Sequence, residues 1–542
     1  MKKALLFLLI SNFLCAQWSV TPAERNALIA LYESTNGNNW VQKWDFAKDP
    51  KNWYGIKIKN GNVSEINLAG NGLSGVFPPS VSAFASLQKL DLSHNQISGE
   101  ISPAAAVLTQ LTRIDLSDNN FTGDPTNTLS SLVLLEDLSL GDNHFETNQL
   151  NAFLQNFPKL KVLNLANFGL TQIPNNVATL SHLESLNLSN NPISANFSSL
   201  QPLSSLRNLD FSGTQLTAIP SAFSSLTQLT SLNLSHNLFS NNYSAPLASL
   251  TKIEWLSLEN NAMTSLPVEI SGLHNLVHLN VGRNKISGGL SSLASLTNLE
   301  QIFLDYNLLE TFPEELLPLQ KLQMLSLIGN QISGEIPENS PAVLLLENNR
   351  FSLASIENFY DGHQTMADFT YSPQRYDQEK TVYALVGTQT TLDQSLSGSD
   401  FTFSWFKNLG ELTPVTTQNY HINHVEETDF SVYTCEALYL KIKGEIPFQL
   451  SFFREPITLE DESLNTEEVI KSIKIYPNPT SDYLNINTKN VKFETAHIFD
   501  LSGKKILTTS AKRIDVRNLP SGAYLITLKT TSETKTFKFL KH

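Results

Sequence analysis

One grid governs the middle of this chain. The stretch LTSLNLSHNLF, residues 229–239, places leucine at the first, fourth and sixth places, asparagine at the ninth and phenylalanine at the eleventh. The grid begins again at Val63, Leu87, Leu111, Leu135, Leu160, Leu183, Leu206, Leu229, Ile253, Leu276, Leu299, Leu322 and, truncated, Pro341. Asn71, Asn95, Asn119, Asn143, Asn191, Asn237, Asn261, Asn284, Asn307, Asn330 and Asn349 fill the ninth place. A fixed period of about 23 to 25 residues is the mark of a stacked-repeat architecture.

Places four and six lie two apart, so in an extended segment both side chains point to one face. One repeat buries six or seven aliphatic groups at ~1.5–3 kcal/mol each. Ordering its backbone costs ~1–2 kcal/mol per residue over some two dozen residues. A lone repeat therefore cannot stand, and only neighbours that share apolar faces and strand hydrogen bonds can. The ninth-place carboxamide carries donors and an acceptor for peptide groups turned away from water, which makes the asparagines structural.

The grid resembles the leucine-rich repeat family over residues 62–352. The resemblance implies an α/β solenoid of about thirteen repeats with a parallel β-sheet on its concave face. Thirteen strands at ~4.8 Å span an arc on the order of 60 Å. Thr214 and Phe168 replace the ninth-place asparagine in two repeats. The threonine hydroxyl can still bond backbone; the phenylalanine cannot, so a break in the ladder is expected there, with Asn167 compensating. Return segments alternate: Ile173-Pro174, Ile219-Pro220, Leu266-Pro267 and Phe312-Pro313 mark every second repeat, and Ser/Asn-rich stretches the others. Proline there suits an arc outside the strand ladder.

Open solenoid ends need caps. Residues 17–61 supply one: TPAERNALIALYEST reads as an amphipathic helix, and Trp40, Trp44 and Trp53-Tyr54-Gly55 as its apolar filling. This resembles the N-terminal cap of plant and bacterial leucine-rich repeat proteins, without their cysteine pair. Residues 353–379 read as the C-terminal flank.

Residues 380–455 alternate apolar and polar residues in short runs, as in a β-sandwich. Trp405 sits in FSWF, and Asp429, Tyr433 and Cys435 show the spacing of an immunoglobulin-like domain. The matching strand, TTLDQSL, lacks the partner cysteine, so Cys435 is expected to be a buried small hydrophobe. His421 is expected to face outward, which leaves no metal site. An acidic linker, 456–469, precedes a last segment, 470–542, in which Lys and Arg outnumber the acids. Its ordered motifs IYPNPTSDYLNI, IFDLSGKKI, IDVRNLPSGAYLITL and KFLKH resemble the type A C-terminal sorting domain of type IX secretion cargo in Bacteroidetes-type bacteria. The resemblance implies a small β-sandwich that addresses the chain to the secretion machinery. Tyr476, Pro477, Asn478, Pro479, Gly503 and Gly522 carry its motifs.

The first residues, MKKALLFLLISNFLCAQ, read as a signal peptide cut after Ala16, with Leu14 a poor residue at the −3 place. Lipidation of Cys15 would call for a small residue before it, where Leu14 stands. No other run is long enough for a transmembrane helix. A net charge of −14, without a basic stripe before the last segment, argues against nucleic acid.

The concave face displays the third, fifth, seventh and eighth places. Early and middle repeats put small polar groups there: Asn67, Asp91, Asp115, Ser139, Asn164, Asn187, Asp210 and Asn233. Later repeats put Trp255, Glu259, His278, Arg283, Phe303, Asp305, Tyr306, Met324 and Ile328 there. Aromatics flanked by charge have the composition of a binding hot spot, and these nine are the expected ligand contacts. The alternative is that they pack on one another or on the flank. An enzyme could use Asp91 and Asp115 on adjacent strands, but Lys89 and Arg113 stand beside them and the face is open and wet. No nucleophile elbow, phosphate loop or metal-spaced cluster appears, so neither catalysis nor a cofactor is expected. The expectation is a secreted or surface-displayed recognition or adhesion protein of a Gram-negative bacterium, binding a protein or polysaccharide. The runner-up is a structural envelope component with no diffusible ligand.

Overall fold

The computed structural model describes residues 18–541 except 147–148, 241–244, 364–365, 367, 409, 413–414, 444–445, 465–472, 489–491, 501–502 and 532–533. The expected signal peptide with Cys15 lies outside the described residues, as do the last residues of the expected acidic linker, 465–469. Two compact units are present, Met1–Arg375 and Tyr376–His542.

The first unit is built on a 15-stranded sheet. An antiparallel hairpin, Ile56–Lys59 with Asn62–Asn67, starts it. Three-residue strands follow in parallel, one per repeat, each paired place for place with the next, as in Leu186↔Leu209 and Leu209↔Leu232. The fourth-place residues between these pairings are buried, and the sixth-place ones with them. All thirteen eighth-place residues adopt positive φ, among them Gly70, His94, Asp118, Arg283, Tyr306 and Gly329. This left-handed residue turns the chain inward and delivers the ninth place to the interior.

There the asparagines form a second ladder, of side chains. Asn191, fully buried, accepts from the Phe168 and Leu170 amides at 2.9 Å each. It donates to the carbonyls of Leu165 at 2.8 Å and Leu188 at 3.0 Å. Each rung therefore ties its own turn to the preceding turn.

The expected break at Phe168 is not in the concave sheet, where Val162–Asn164 pairs normally on both sides. Asn167 does not compensate; it holds the eighth-place positive φ. The interruption lies on the opposite edge of the coil. A second parallel sheet, Ser74–Val76, Gln96–Glu100, Asn120–Gly123 and His144–Phe145, ends one turn before Phe168. Phe168 instead extends a file of rings, Phe121–Phe145–Phe168, with centroids 6.0 Å apart at each step. Thr214 bonds its own turn, donating to the Phe211 carbonyl at 2.8 Å. Return segments alternate as the sequence does. Short 3₁₀ turns follow Pro174, Pro220, Pro267 and Pro313, whereas left-handed Asn196 and Gly289 precede those of the sixth and tenth repeats.

Helix Pro22–Ser34, capped by the Thr21 hydroxyl, begins the N-terminal cap. Trp40, Trp44 and Trp53 are buried around Tyr32, and each indole N–H donates to a carbonyl at 2.9 Å. Tyr54, expected in this filling, is exposed instead; its carbonyl, not its ring, joins the cluster by accepting from Trp44. Buried Glu24 accepts from the Val63 amide at 3.0 Å, satisfying a donor of the first repeat. Burial pushes its carboxyl pKa up.

The far end does not stop at residue 352. Strand Asp368–Thr370 extends the sheet, and Gln374 supplies one more rung, accepting from Phe351 and donating to Leu346 at 2.9 Å. Glutamine does with a longer arm what asparagine does elsewhere. Helix Leu353–Gly362 buries Ile356 and Phe359 beneath it.

In the second unit, Trp405 pairs across strands with Cys435, and both are buried. The Tyr433 hydroxyl donates to the Asp429 carbonyl at 2.8 Å, a tether of the tyrosine-corner kind. Burial pushes the Cys435 thiol up to about 11, leaving it in its unreactive form. His421 is exposed and Ile422 buried. The expected linker begins instead as strand Ile457–Asp461, parallel to Lys380–Ala384, because Ile457 and Leu459 complete that core.

The last strands form two antiparallel sheets around Leu484, Ile486, Ile498, Ile526 and Phe539. Strand Ile473–Tyr476 ends just before Pro477 and Pro479. Between them Asn478 donates to the Lys538 carbonyl at 3.1 Å and accepts from the Leu540 amide at 2.9 Å, clamping the motif to the final strand. Gly503, at φ 84°, makes the turn into Lys505–Thr509. Gly522 opens strand Gly522–Thr530.

Candidate recognition surface

The third-place residues Ser185, Asn208, Ser231, Trp255, His278, Gln301, Met324 and Val343 stand in one row across adjacent strands. At Trp255 the row changes from small polar groups to rings. Trp255 stacks on His278 with centroids 5.6 Å apart at 12°, and His278 meets Phe303 at 5.2 Å. His278 Nδ1 lies 3.0 Å from Gln301 Oε1, which fixes the imidazole between the two rings. All three rings are half-buried and held by one another.

A second row runs along the turns. Glu259 accepts from Asn280 Nδ2 at 3.0 Å and pairs with Arg283 at 3.5 Å. The Arg283 guanidinium lies 4.5 Å over the Tyr306 ring, and a Cβ at Gly329 would fall 2.6 Å from that ring. Tyr306, 47% exposed, is thus clamped between Arg283 and a turn that only glycine permits. Arg283 and Tyr306 hold the positive φ that every eighth place adopts, which costs a bulky side chain energy.

Six of the nine expected contacts therefore form two connected rows. Met324 lies one strand beyond the rings, in register with Gln301, and Ile328 is half-buried near the turns. Asp305 is the exception. Its carboxylate accepts from the Ser326 hydroxyl and, at 2.9 Å, from the Ile328 amide. In other repeats a fifth-place Asn or Asp accepts from its own seventh-place amide, as Asp210 does from Ser212 at 2.9 Å. The twelfth repeat has Ser326 at that place, and Asp305 supplies the acceptor from the turn before. Its carboxylate thus positions the next turn, and burial raises its pKa.

Asn280 and Gln301 orient the charged and aromatic rows, while half-buried Val343 and Leu345 continue the face; none was expected from composition alone. Their third- and fifth-place positions were the available signal. On the other side of Trp255 lies a cleft of about 510 Å³ floored by Ser185, Asn187, Asn208, Asp210, Ser231 and Asn233.

The pair an enzyme would use is engaged. Asp91 and Asp115 each accept from the amide and hydroxyl of their own seventh-place serine. Arg113 lies 3.6 Å from Asp91, 3.4 Å from Asp115 and 2.9 Å from Asp137. Among the described residues no group of three His, Cys, Asp or Glu is placed to hold a metal ion, and no helix is long and apolar enough to cross a membrane.

A parallel ladder of asparagine-tied turns is the architecture of leucine-rich repeat solenoids. Family models agree: leucine-rich repeats match at 85–131, 182–203 and 205–226, and a secretion system C-terminal sorting domain at 474–542. The chain is a leucine-rich repeat protein that ends in a type IX sorting domain. Among solved structures it is similar to the receptor kinase HAESA of Arabidopsis, in complex with a peptide hormone and a co-receptor. Identity there is 24% and the TM-score 0.51, over 67% of this chain and 63% of that one. It is also similar to a leucine-rich repeat protein of Leptospira interrogans, at 27% identity and TM-score 0.45 over 56% and 83%. An internalin of Listeria monocytogenes matches at 23% and 0.41 over 59% and 85%.

Proposed function

We propose that this is a non-catalytic recognition protein, exported by type IX secretion and either released or displayed at the outer surface, that binds a partner on the concave face of its later repeats. The observation that carries this reading is the pre-formed pair of rows, Trp255–His278–Phe303 and Glu259–Arg283–Tyr306, on a sheet whose middle repeats carry small polar groups. Rings held by each other lose little freedom on binding, so more of their contact energy appears as affinity. The sorting domain supports export, and its contact with the secretion machinery belongs to the same proposal. Residues 380–461 serve as an immunoglobulin-like spacer or second contact, a role supported by the Tyr433 tether and the buried Trp405.

The test is capture of partners from culture medium and from the envelope fraction by the purified chain and by its Trp255→Ala/Phe303→Ala/Tyr306→Ala variant. Partners lost only with the variant support the reading. Equal capture by both proteins, with unchanged unfolding midpoints, refutes it.

A further inference from the structure

We infer that the cleft beside Trp255 binds a linear, uncharged oligosaccharide lying across the strands, one sugar ring to each repeat. This rests on the reading of the concave face as the recognition surface and assigns its ligand class. Ser185, Asn208 and Ser231 present three consecutive third-place groups in register, and their side chains make no hydrogen bond to any described residue. Asp210 supplies the only formal charge among the lining residues, and it is already bonded to Asn233 Nδ2 at 3.0 Å and to Ser212. Two unengaged hydroxyls and one unengaged carboxamide, on a floor without a cation whose other polar groups, Asn187, Asp210 and Asn233, are already bonded, suit hydroxyls and not phosphates or carboxylates.

Spacing selects between polymers. Neighbouring strands stand ~4.8 Å apart, close to the length of one hexose unit in an extended glycan. An extended peptide advances ~3.3 Å per residue, and about twice that between side chains on one face, so it falls out of step with the floor. Trp255 closes the end of the row. His278 covers one face of the indole, and the indole itself lines the cleft. An indole face is electron-rich and accepts the polarised C–H groups of a sugar ring.

Titration calorimetry of the full chain with neutral oligosaccharides of two to eight units, in β-1,4, β-1,3 and α-1,4 linkage, tests the assignment. In at least one series affinity should rise with each sugar up to about four units, matching the strands from Ser185 to Trp255, and then level off. Trp255→Ala should weaken binding at least tenfold, Asn208→Ala several-fold, and Ser231→Trp, which fills the cleft, should abolish it, with unfolding midpoints unchanged. No binding in any series overturns the assignment, as does affinity indifferent to Trp255→Ala and Ser231→Trp. A displayed peptide library yielding binders that these variants lose would also overturn it, in favour of a peptide, while leaving the recognition surface standing. The recognition surface itself falls only if the triple variant captures the same partners as the parent protein.

Discussion

Replacing Asn191 by alanine tests whether the side-chain ladder, rather than leucine packing alone, couples one turn to the next. The substitution removes the acceptor of the Phe168 and Leu170 amides and the donor to Leu165 and Leu188, at a position without solvent exposure. Each buried donor left unpaired costs ~1–3 kcal/mol, so the two amides alone predict a loss of ~2–6 kcal/mol. The cavity is small and adds little. Because repeats couple chiefly to their neighbours, the loss should fall at the junction of two turns rather than spread through the stack. Urea unfolding should show a lower midpoint and a shallower or split transition. Hydrogen exchange should report lost protection at Phe168 and Leu170 first. A midpoint change worth less than ~1 kcal/mol, with protection intact at both amides, would refute the reasoning and leave packing as the sole coupling.

Three further outcomes follow from the same geometry. Asp305 has its pKa raised by burial, so in the folded state it binds protons more readily than when unfolded, and its contribution to stability falls as pH rises from the ordinary aspartate value through the raised one. Asp305→Asn keeps an acceptor for Ser326 and Ile328 and removes the charge; its unfolding midpoint should gain on the parent as pH rises above the ordinary aspartate range, and a constant difference would contradict this. Tyr306→Asn places at positive φ a residue that tolerates it, balancing relief of roughly 1 kcal/mol of strain against loss of a cation–π contact of about the same size. Melting should barely change while partner capture falls. Removing residues 473–542 should retain the chain in the periplasm, and its appearance outside the outer membrane in equal amount would count against the sorting role.

Much of this fold was legible because a period is a strong signal. The first, fourth, sixth and ninth places forecast the strands, the buried face and the asparagine rungs. The second sheet was not legible. Gly75, Gly99 and Gly123 recur at the thirteenth place where it forms, but Gly288 and Gly334 hold the same place without a second-sheet strand among the described residues. Neighbouring turns, not the residue itself, decide whether that edge pairs. Gln374 escaped notice because its repeat lacks the leucines that mark the others. The bonds of Asp305 were not legible because its direction depends on what the next repeat lacks at Ser326, a relation that no single repeat displays. Pairings that reach across a turn are where a grid of residue types stops being informative.

The second sheet has a mechanical consequence. Up to Phe145 successive turns are joined by paired strands along two edges of the coil; beyond it the second edge keeps isolated backbone hydrogen bonds, such as Leu238 to Leu216 and Lys285 to Met263 at 2.8 Å each. Tension applied through the ends of the solenoid acts on every turn alike, so the section with two sheets should hold longest and the section with isolated second-edge bonds should unravel first. The aromatic rows lie in the section with the weaker second edge, so a surface holding a ligand under shear would lose its grip before its N-terminal turns unfolded.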